Sequence, residues 1–210
     1  MRRRIVLWRH GRTQWNAKGL VQGQTDTELD HVGRRQARSA AARLALLEPV
    51  RIVSSDLARA HDTATVLGDM TGVAVEKDQR LREMSFGQRE GKTFDEAMEQ
   101  FPEQMRRWLD GDDTRFAGAE TYAEAGARFS HAVEDVAGPL GDDETAIVVA
   151  HGAVLRVGIC AFLGLPQEFW VKLGGFNNCS WTVLGEGRGG WRIEEWNAGS
   201  LPTPVLSDDE

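Results

Sequence analysis

Short apolar runs punctuate this chain, and stretches of helical spacing separate them. Ile5 to Trp8, Val50 to Ser54, Val73 to Glu76 and Thr145 to Ala150 are each of buried-strand length. Between the first two, Ala37, Ala40, Ala41, Leu44 and Leu47 recur at helix spacing over Gly33 to Leu47, with Asp30 as N-cap and Pro49 as stop. Ser55 or Asp56 caps a helix to about Thr71, and Gly72 closes it. Thr93 to Glu96 and Thr121 to Glu124 are capping boxes, the second opening a helix to about Val136. A short helix after Pro102 carries Met105, Trp108 and Leu109 on one face, and Ala153 to Leu163 reads as a buried helix. Trp181 to Leu184 and Trp191 to Trp196 read as strands of a Gly-rich hairpin at one sheet edge. Trp15 to Thr27 and Asp110 to Gly118 are loops, and Arg80 to Gly91 is a polar connector without periodicity. Strands alternating with helices imply an α/β fold. The expected form is a three-layer α/β/α sandwich with a mostly parallel central sheet and an antiparallel edge strand. Residues 1–198 form one domain, the helices of about 93–136 make a small cap, and 199–210, with Pro202, Pro204 and three terminal acids, are expected to be disordered.

At 210 residues the chain is long enough for one substantial core. A net charge of −7 argues against a nucleic-acid partner, yet permits a local Arg cluster for a small anion. Cys160 and Cys179 lie in no CxxC pattern, which argues against a zinc site, and no carboxylate cluster of magnesium type is visible. No metal and no cofactor are expected. The apolar run behind Arg2 to Arg4 is too short for a signal peptide, and no segment approaches a membrane span. The expected location is the cytoplasm. The expected partners are a small phosphorylated substrate and at most a second copy in a homodimer, with no nucleic acid and no membrane.

The chemistry concentrates where the apolar runs stop. Arg9, His10 and Gly11 leave the end of the first strand, where ligands sit in open α/β sheets. A forked cation, an imidazole able to carry a phosphoryl group and a flexible backbone position suit a phosphate. Alone, this stretch reads equally well as an ordinary polar turn. Thr145 to Ala150 repeats the pattern, ending in His151 and Gly152. With Thr13, with Ser54, Ser55 and Arg59 after the second strand, and with Leu81, Glu83, Gly87, Glu90 and Gly91, these residues resemble the histidine phosphatase superfamily, also called phosphoglycerate mutase-like. They come in family order and span most of the chain.

Phosphoryl transfer needs an in-line nucleophile, positive charge around the equatorial oxygens and a proton for the leaving oxygen. His10 is the expected nucleophile, its other ring nitrogen held by a backbone carbonyl. Arg9 and Arg59 are the expected phosphate clamps, Arg59 lying in the first turn of a helix that follows a strand end. His151 is expected to act electrostatically, protonated by nearby phosphate. The residues alone do not choose between Glu83 and Glu90 as general acid; the resemblance implies Glu83. It likewise implies Asn16, Gln22, Gly23 and Gly152 as substrate-binding positions, while Thr13 supports the turn. Arg12 and Arg156 are candidates for a substrate carboxylate, and Trp15 or Phe86 for a place near the pocket.

Met84, Ser85, Phe86 and Gly87 after Glu83 follow the phosphatase style rather than the mutase style. Segments such as Leu173 to Gly175, Asn178 and Ser180 to Thr182, with Gln22 to Leu29, resemble the actinobacterial glucosyl-3-phosphoglycerate phosphatases. Where that branch commonly has Gly, Gly, Glu, Ser, this chain has Gly118, Ala119, Glu120 and Thr121. The resemblance implies a phosphomonoesterase acting on a small sugar-acid phosphate. A cofactor-dependent phosphoglycerate mutase, a broad-specificity acid phosphatase, an α-ribazole phosphatase and a non-catalytic phospholigand-binding protein stand as alternatives.

Overall fold

The structure is a computed structural model that describes residues 3–199. Its centre is a six-stranded sheet built from β1 (Arg4–Arg9), β2 (Arg51–Ser54), β3 (Val75–Lys77), β4 (Thr145–Ala150), β5 (Trp181–Gly187) and β6 (Gly190–Ala198). The spatial order is β3-β2-β4-β1-β5-β6. The first four strands in that order are parallel, and β5 and β6 form an antiparallel hairpin at one edge.

Strand alternation sorts the central residues into two layers. Val6, Trp8, Ile52, Ile147 and Val149 pack with α2 (His31–Leu44) and α3 (Ala58–Thr71) through Ala37, Ala41, Leu44, Ala60, Ala64 and Leu67. Ile5, Leu7, Val53, Ala146 and Val148 pack with α6 (Tyr122–Ala137) and α7 (Gly152–Phe162) through Ala125, Phe129, Val133, Leu155 and Ile159. Both faces of the parallel strands are thereby buried, as the near-continuous apolar runs require. This is the expected three-layer sandwich.

Asp30 caps α2, its Oδ1 accepting from the N–H groups of Val32 and Gly33 at 2.8 Å each. The Thr93 and Thr121 capping boxes both form, and Gly72 ends α3 in the left-handed region. Four details differ from the sequence reading. Neither Ser55 nor Asp56 caps α3; the first helical residue, Ala58, donates instead to Asp26 Oδ1 at 2.8 Å. A short helix, α1 (Gln14–Ala17), interrupts the expected loop because Thr13 and Asn16 close a capping box of their own. The segment 93–136 divides: α4 (Phe94–Gln100) and α5 (Pro102–Leu109) flank the pocket described below, whereas α6 belongs to the core layer. On α5, Met105 is buried but Leu109 is exposed. The expected disordered tail falls, beyond Gly199, outside the described residues. Among the described residues no helix is long and apolar enough to cross a membrane.

The connections give the sheet its crevice. β1 leads through α2 to β2 on one side, while β4 leads through α7 to β5 on the other. The adjacent strands β1 and β4 therefore form a topological switch point, and ligands bind at the carboxyl ends there. The loop leaving β1 is pressed against α2 at Gly33. A Cβ on Gly33 would stand 2.0 Å from the Arg12 carbonyl oxygen, and one on Gly11 would stand 2.5 Å from the Gly33 carbonyl oxygen. Backbone cannot retreat from such contacts as a flexible side chain can. Gly33→Ala is expected to destabilise the protein by about 1–3 kcal/mol, as overpacking does. A urea midpoint equal to wild type would show that α2 and the loop do not meet this closely.

Candidate active site

β1 and β4 run in parallel register, with Arg9 opposite Ala150. The next residues, His10 and His151, therefore emerge side by side, their ring centroids 5.1 Å apart. Ser55, leaving β2, donates its N–H to the Val149 carbonyl at 2.9 Å, and its Oγ lies 2.9 Å from His151 Nε2. The His151 ring is fully buried, and its Nδ1 has no hydrogen-bond partner among the described residues.

His10 Nδ1 lies 2.7 Å from the Gly11 carbonyl oxygen. A carbonyl only accepts, so Nδ1 carries the proton and Nε2 keeps the lone pair. The backbone of His10 is held as firmly: its N–H donates to Ala150, and its carbonyl accepts from Cys179 N–H and Asn178 Nδ2. Burial, and then the guanidinium groups of Arg59 and Arg9, hold the His10 pKa well below its ordinary value of 6.5. Burial, followed by Arg59 and His10, does the same to His151.

Arg9 and Arg59 are both buried. Arg9 Nη1 donates to the Phe176 carbonyl. Arg59 Nη1 donates to the Thr25 carbonyl at 2.8 Å, and its Nη2 to the Gly23 carbonyl at 2.7 Å. Gly23 is a glycine for a physical reason: its φ is +52°, and a Cβ there would stand 2.1 Å from the Glu90 carboxylate. Glu90 uses that carboxylate to accept from the N–H groups of Phe86 and Gln24 and from the Thr25 hydroxyl. It is a strut between two loops.

Glu83 is nearly buried and sits over the first turn of α7. Its Oε1 accepts from Val154 N–H at 2.8 Å and Met84 N–H at 2.9 Å, and its Oε2 from Ala153 N–H at 3.1 Å. Burial raises the Glu83 pKa above its ordinary 4.5, against the opposing pull of those backbone donors and of Arg59. Asn16 Oδ1 accepts from the Thr13 N–H and from Asn178 Nδ2. Gln22 Oε1 accepts from the hydroxyls of Thr13 and Thr27, which leaves the Gln22 amide NH₂ as the group able to donate to a ligand.

A cavity of about 380 Å³ opens at this point. Arg9, His10, Asn16, Gln22, Gly23, Arg59, Glu83 and Gly152 all line it; His151, expected to bind substrate, is not on the wall, its ring centroid 5.1 Å from that of His10. Phe86 is on the wall and Trp15 is not. Arg156 lines it, but Arg12 does not: Arg12 Nε donates to Asp30 Oδ2 at 2.8 Å, the carboxylate that caps α2. Two arginines escaped the sequence reading. Arg128, on α6, donates to the carbonyls of Arg80, Arg82 and Glu83 and to both oxygens of Glu120, pinning the connector that carries Glu83. Arg89 lines the cavity buried among aromatic rings. The only sequence signal for either was its place in the connector or on a polar helix face.

Comparison with known proteins bears on this geometry. The sequence matches the family model described as histidine phosphatase superfamily (branch 1) over residues 5–199. It is 40% identical to a glucosyl-3-phosphoglycerate phosphatase of Mycolicibacterium vanbaalenii, covering 93% of this chain and 95% of that protein. It is 32% identical to a probable phosphoglycerate mutase of Serratia proteamaculans, covering 97% of each. The structure is similar to a mycobacterial glucosyl-3-phosphoglycerate phosphatase complexed with VO3, with a TM-score of 0.88 at 38% identity, covering 94% of this chain and 100% of that one.

The two imidazoles make stability pH-dependent. Unfolded, they take up protons near pH 6.5; folded, they resist until well below it. Their contribution is complete above pH 6.5 and is lost as the pH falls from there through the folded values, at a slope of at most about 1.4 kcal/mol per pH unit for each proton. Glu83, with its raised value, works in the opposite sense as the pH rises from 4.5. His151→Asn is therefore expected to lose less stability than wild type between about pH 7.5 and pH 5.5. Equal losses in urea titrations would show that His151 is not held neutral by its surroundings.

Proposed function

The chain belongs to the histidine phosphatase superfamily and is a phosphatase, and from that premise we propose that it hydrolyses a small sugar-acid phosphate through a phosphohistidine on His10, with glucosyl-3-phosphoglycerate as the substrate. The observation that carries the reading is the fixed tautomer of His10. Its Nδ1–H is committed to Gly11, so the nitrogen that keeps a lone pair belongs to a ring lining the cavity. The depressed pKa keeps that lone pair available at neutral pH.

In the proposed reaction His10 Nε2 attacks phosphorus and the ester P–O bond breaks. Arg9 and Arg59 donate to the equatorial oxygens, whose charge also draws a proton onto His151. Protonated Glu83 gives its proton to the leaving alkoxide. The resulting carboxylate then accepts a proton from water, whose oxygen attacks phosphorus as the P–N bond breaks. Inorganic phosphate leaves, and both side chains return to their starting states. The raised pKa of Glu83 favours the protonated form that the first step needs. Asn16, Gln22, Gly23 and Gly152 complete the wall around the phosphoryl group. None of the residues with these roles calls for a metal ion, so turnover is expected to withstand chelation. The named substrate rests on the glucosyl-3-phosphoglycerate phosphatases to which sequence and structure are similar.

His10→Ala is expected to fold and to lose essentially all turnover. Acid-labile, base-stable phosphate should be trapped on wild type and not on the variant; equal labelling of both would sink the nucleophile. Glu83→Gln separates acid catalysis from binding. It is expected to slow an alkyl phosphate by about 10²–10⁴-fold and p-nitrophenyl phosphate far less, because that leaving group scarcely needs a proton. A loss of the same size on both would assign Glu83 another task. Phosphate release from glucosyl-3-phosphoglycerate is expected to exceed that from 3-phosphoglycerate in kcat/KM. Efficient conversion of 3-phosphoglycerate to 2-phosphoglycerate with a bisphosphate primer would favour the mutase reading, which relatives such as the Serratia protein keep in view.

A further inference from the structure

Arg89 has no place in the chemistry just described, yet it is the most unusual charge in the cavity. It ends a short turn of the connector, is only 4% exposed, and lines the same cavity as His10 and Glu83 as well as a smaller hollow bordered by Asp112, Asp113 and Glu120. Its guanidinium carbon lies 5.0 Å from the ring centres of Phe86 and of Trp108, and 4.5 Å from that of Phe116. Those faces attract a cation but accept no in-plane hydrogen bond from it. Its hydrogen bonding to the described residues is one long contact, from Nε to the Phe86 carbonyl at 3.4 Å. The adjacent acid, Glu90, is committed to the loop strut. Burial lowers the Arg89 pKa to about 10, which leaves the group charged at neutral pH.

Among the described residues Arg89 forms no ion pair with a carboxylate, although the nearby charge of Glu90 helps to keep it ionised; a buried cation held this way is costly, and proteins rarely keep one without a use. We infer that Arg89 is a specificity-determining residue whose terminal nitrogens receive a carboxylate on the alcohol portion of the phosphomonoester. A planar fork held between aromatic faces presents parallel donors to a planar two-oxygen acceptor. The division of labour is then spatial. Arg9 and Arg59 serve the transferring phosphoryl group beside His10. Arg89, on the connector that also carries Glu83, serves the leaving alcohol. The inference rests on the phosphomonoesterase reading above, and it holds for any leaving alcohol with a carboxylate, glucosylated or not.

The test uses a matched pair, 3-phosphoglycerate and glycerol 3-phosphate, which differ only in carrying a carboxylate or a hydroxymethyl group. Wild type is expected to favour 3-phosphoglycerate by about 30-fold or more in kcat/KM, the range a desolvated charge pair gives. Arg89→Gln is expected to collapse that ratio through KM, and Arg89→Lys, which keeps the charge but not the fork, to lower it partway. An absent preference in wild type overturns the inference without any variant. So does a ratio unchanged in Arg89→Gln, whatever happens to the absolute rates, or a collapse seen in Arg156→Gln instead. Failure to hydrolyse glucosyl-3-phosphoglycerate while the matched pair still shows the Arg89-dependent ratio would remove the named substrate and leave Arg89 in its role.

Discussion

Parallel pairing of β1 with β4, with Arg9 opposite Ala150, is the constraint on which the site depends. It sets His10 beside His151 and delivers both to one switch point. A slip of one residue would send every side chain of β1 to the wrong layer. Trp8 makes that slip costly, because its ring packs on the α2–α3 side and its Nε1 donates to the Cys179 carbonyl at 3.2 Å. On the other flank β5 pairs with β1 up to Trp8, and the chain before β5 continues the contact, with Ser180 accepting from Arg9 and Cys179 donating to His10. The nucleophile candidate is thus bound by backbone on both sides and is effectively part of the sheet.

What was legible in the sequence was what local chemistry decides. Apolar runs ending in Arg9 and His10, and in His151, became strand ends because burial on both faces leaves no other place for them. The Thr93 and Thr121 capping boxes formed because the partners lie three residues apart. What was not legible depends on which distant groups meet. Asp26 caps a helix that begins 32 residues later, and no local signal names it over Asp56. The apolar stripe of α6 would suit a cap or a core layer equally; only the sheet beneath it decides. An arginine on a helix is by default a solvated charge, which hid Arg128, and Arg12 looked available until Asp30 was seen to hold it.

Burial of charge explains why side chains carry the phosphate recognition expected here. Helix N-termini following strand ends are ready-made anion sites. Here protein carboxylates occupy both: Asp26 at α3 and Glu83 at α7. The sheet's carboxyl end is left with imidazoles and guanidinium groups, the latter steadied by the carbonyls of Phe176, Thr25 and Gly23. A carbonyl orients a guanidinium without bringing a full countercharge, and the positive potential of Arg59 and Arg9 is felt at His10 in a protein whose net charge is −7. The same potential suppresses protonation of His10 and pulls the Glu83 value down against the larger effect of burial.

The connector from Arg80 to Gly91 shows how a segment with little regular structure can hold the proposed proton donor, Glu83, in a fixed place. A loop positions a group only as well as its own backbone is held. Arg128 holds one end by three carbonyls, with Glu120 balancing its charge, and Glu90 holds the other by two N–H groups and a hydroxyl. Glu83 then closes the frame by seating its own carboxylate on α7. The same frame carries Phe86 and Arg89 to the cavity wall. Glu83 and Arg89, the acid and the carboxylate-binding cation of the two proposals above, therefore stand on one braced segment. If both proposals hold, selectivity and proton delivery depend on the same set of hydrogen bonds, those that Arg128, Glu90 and Glu83 itself make to the segment.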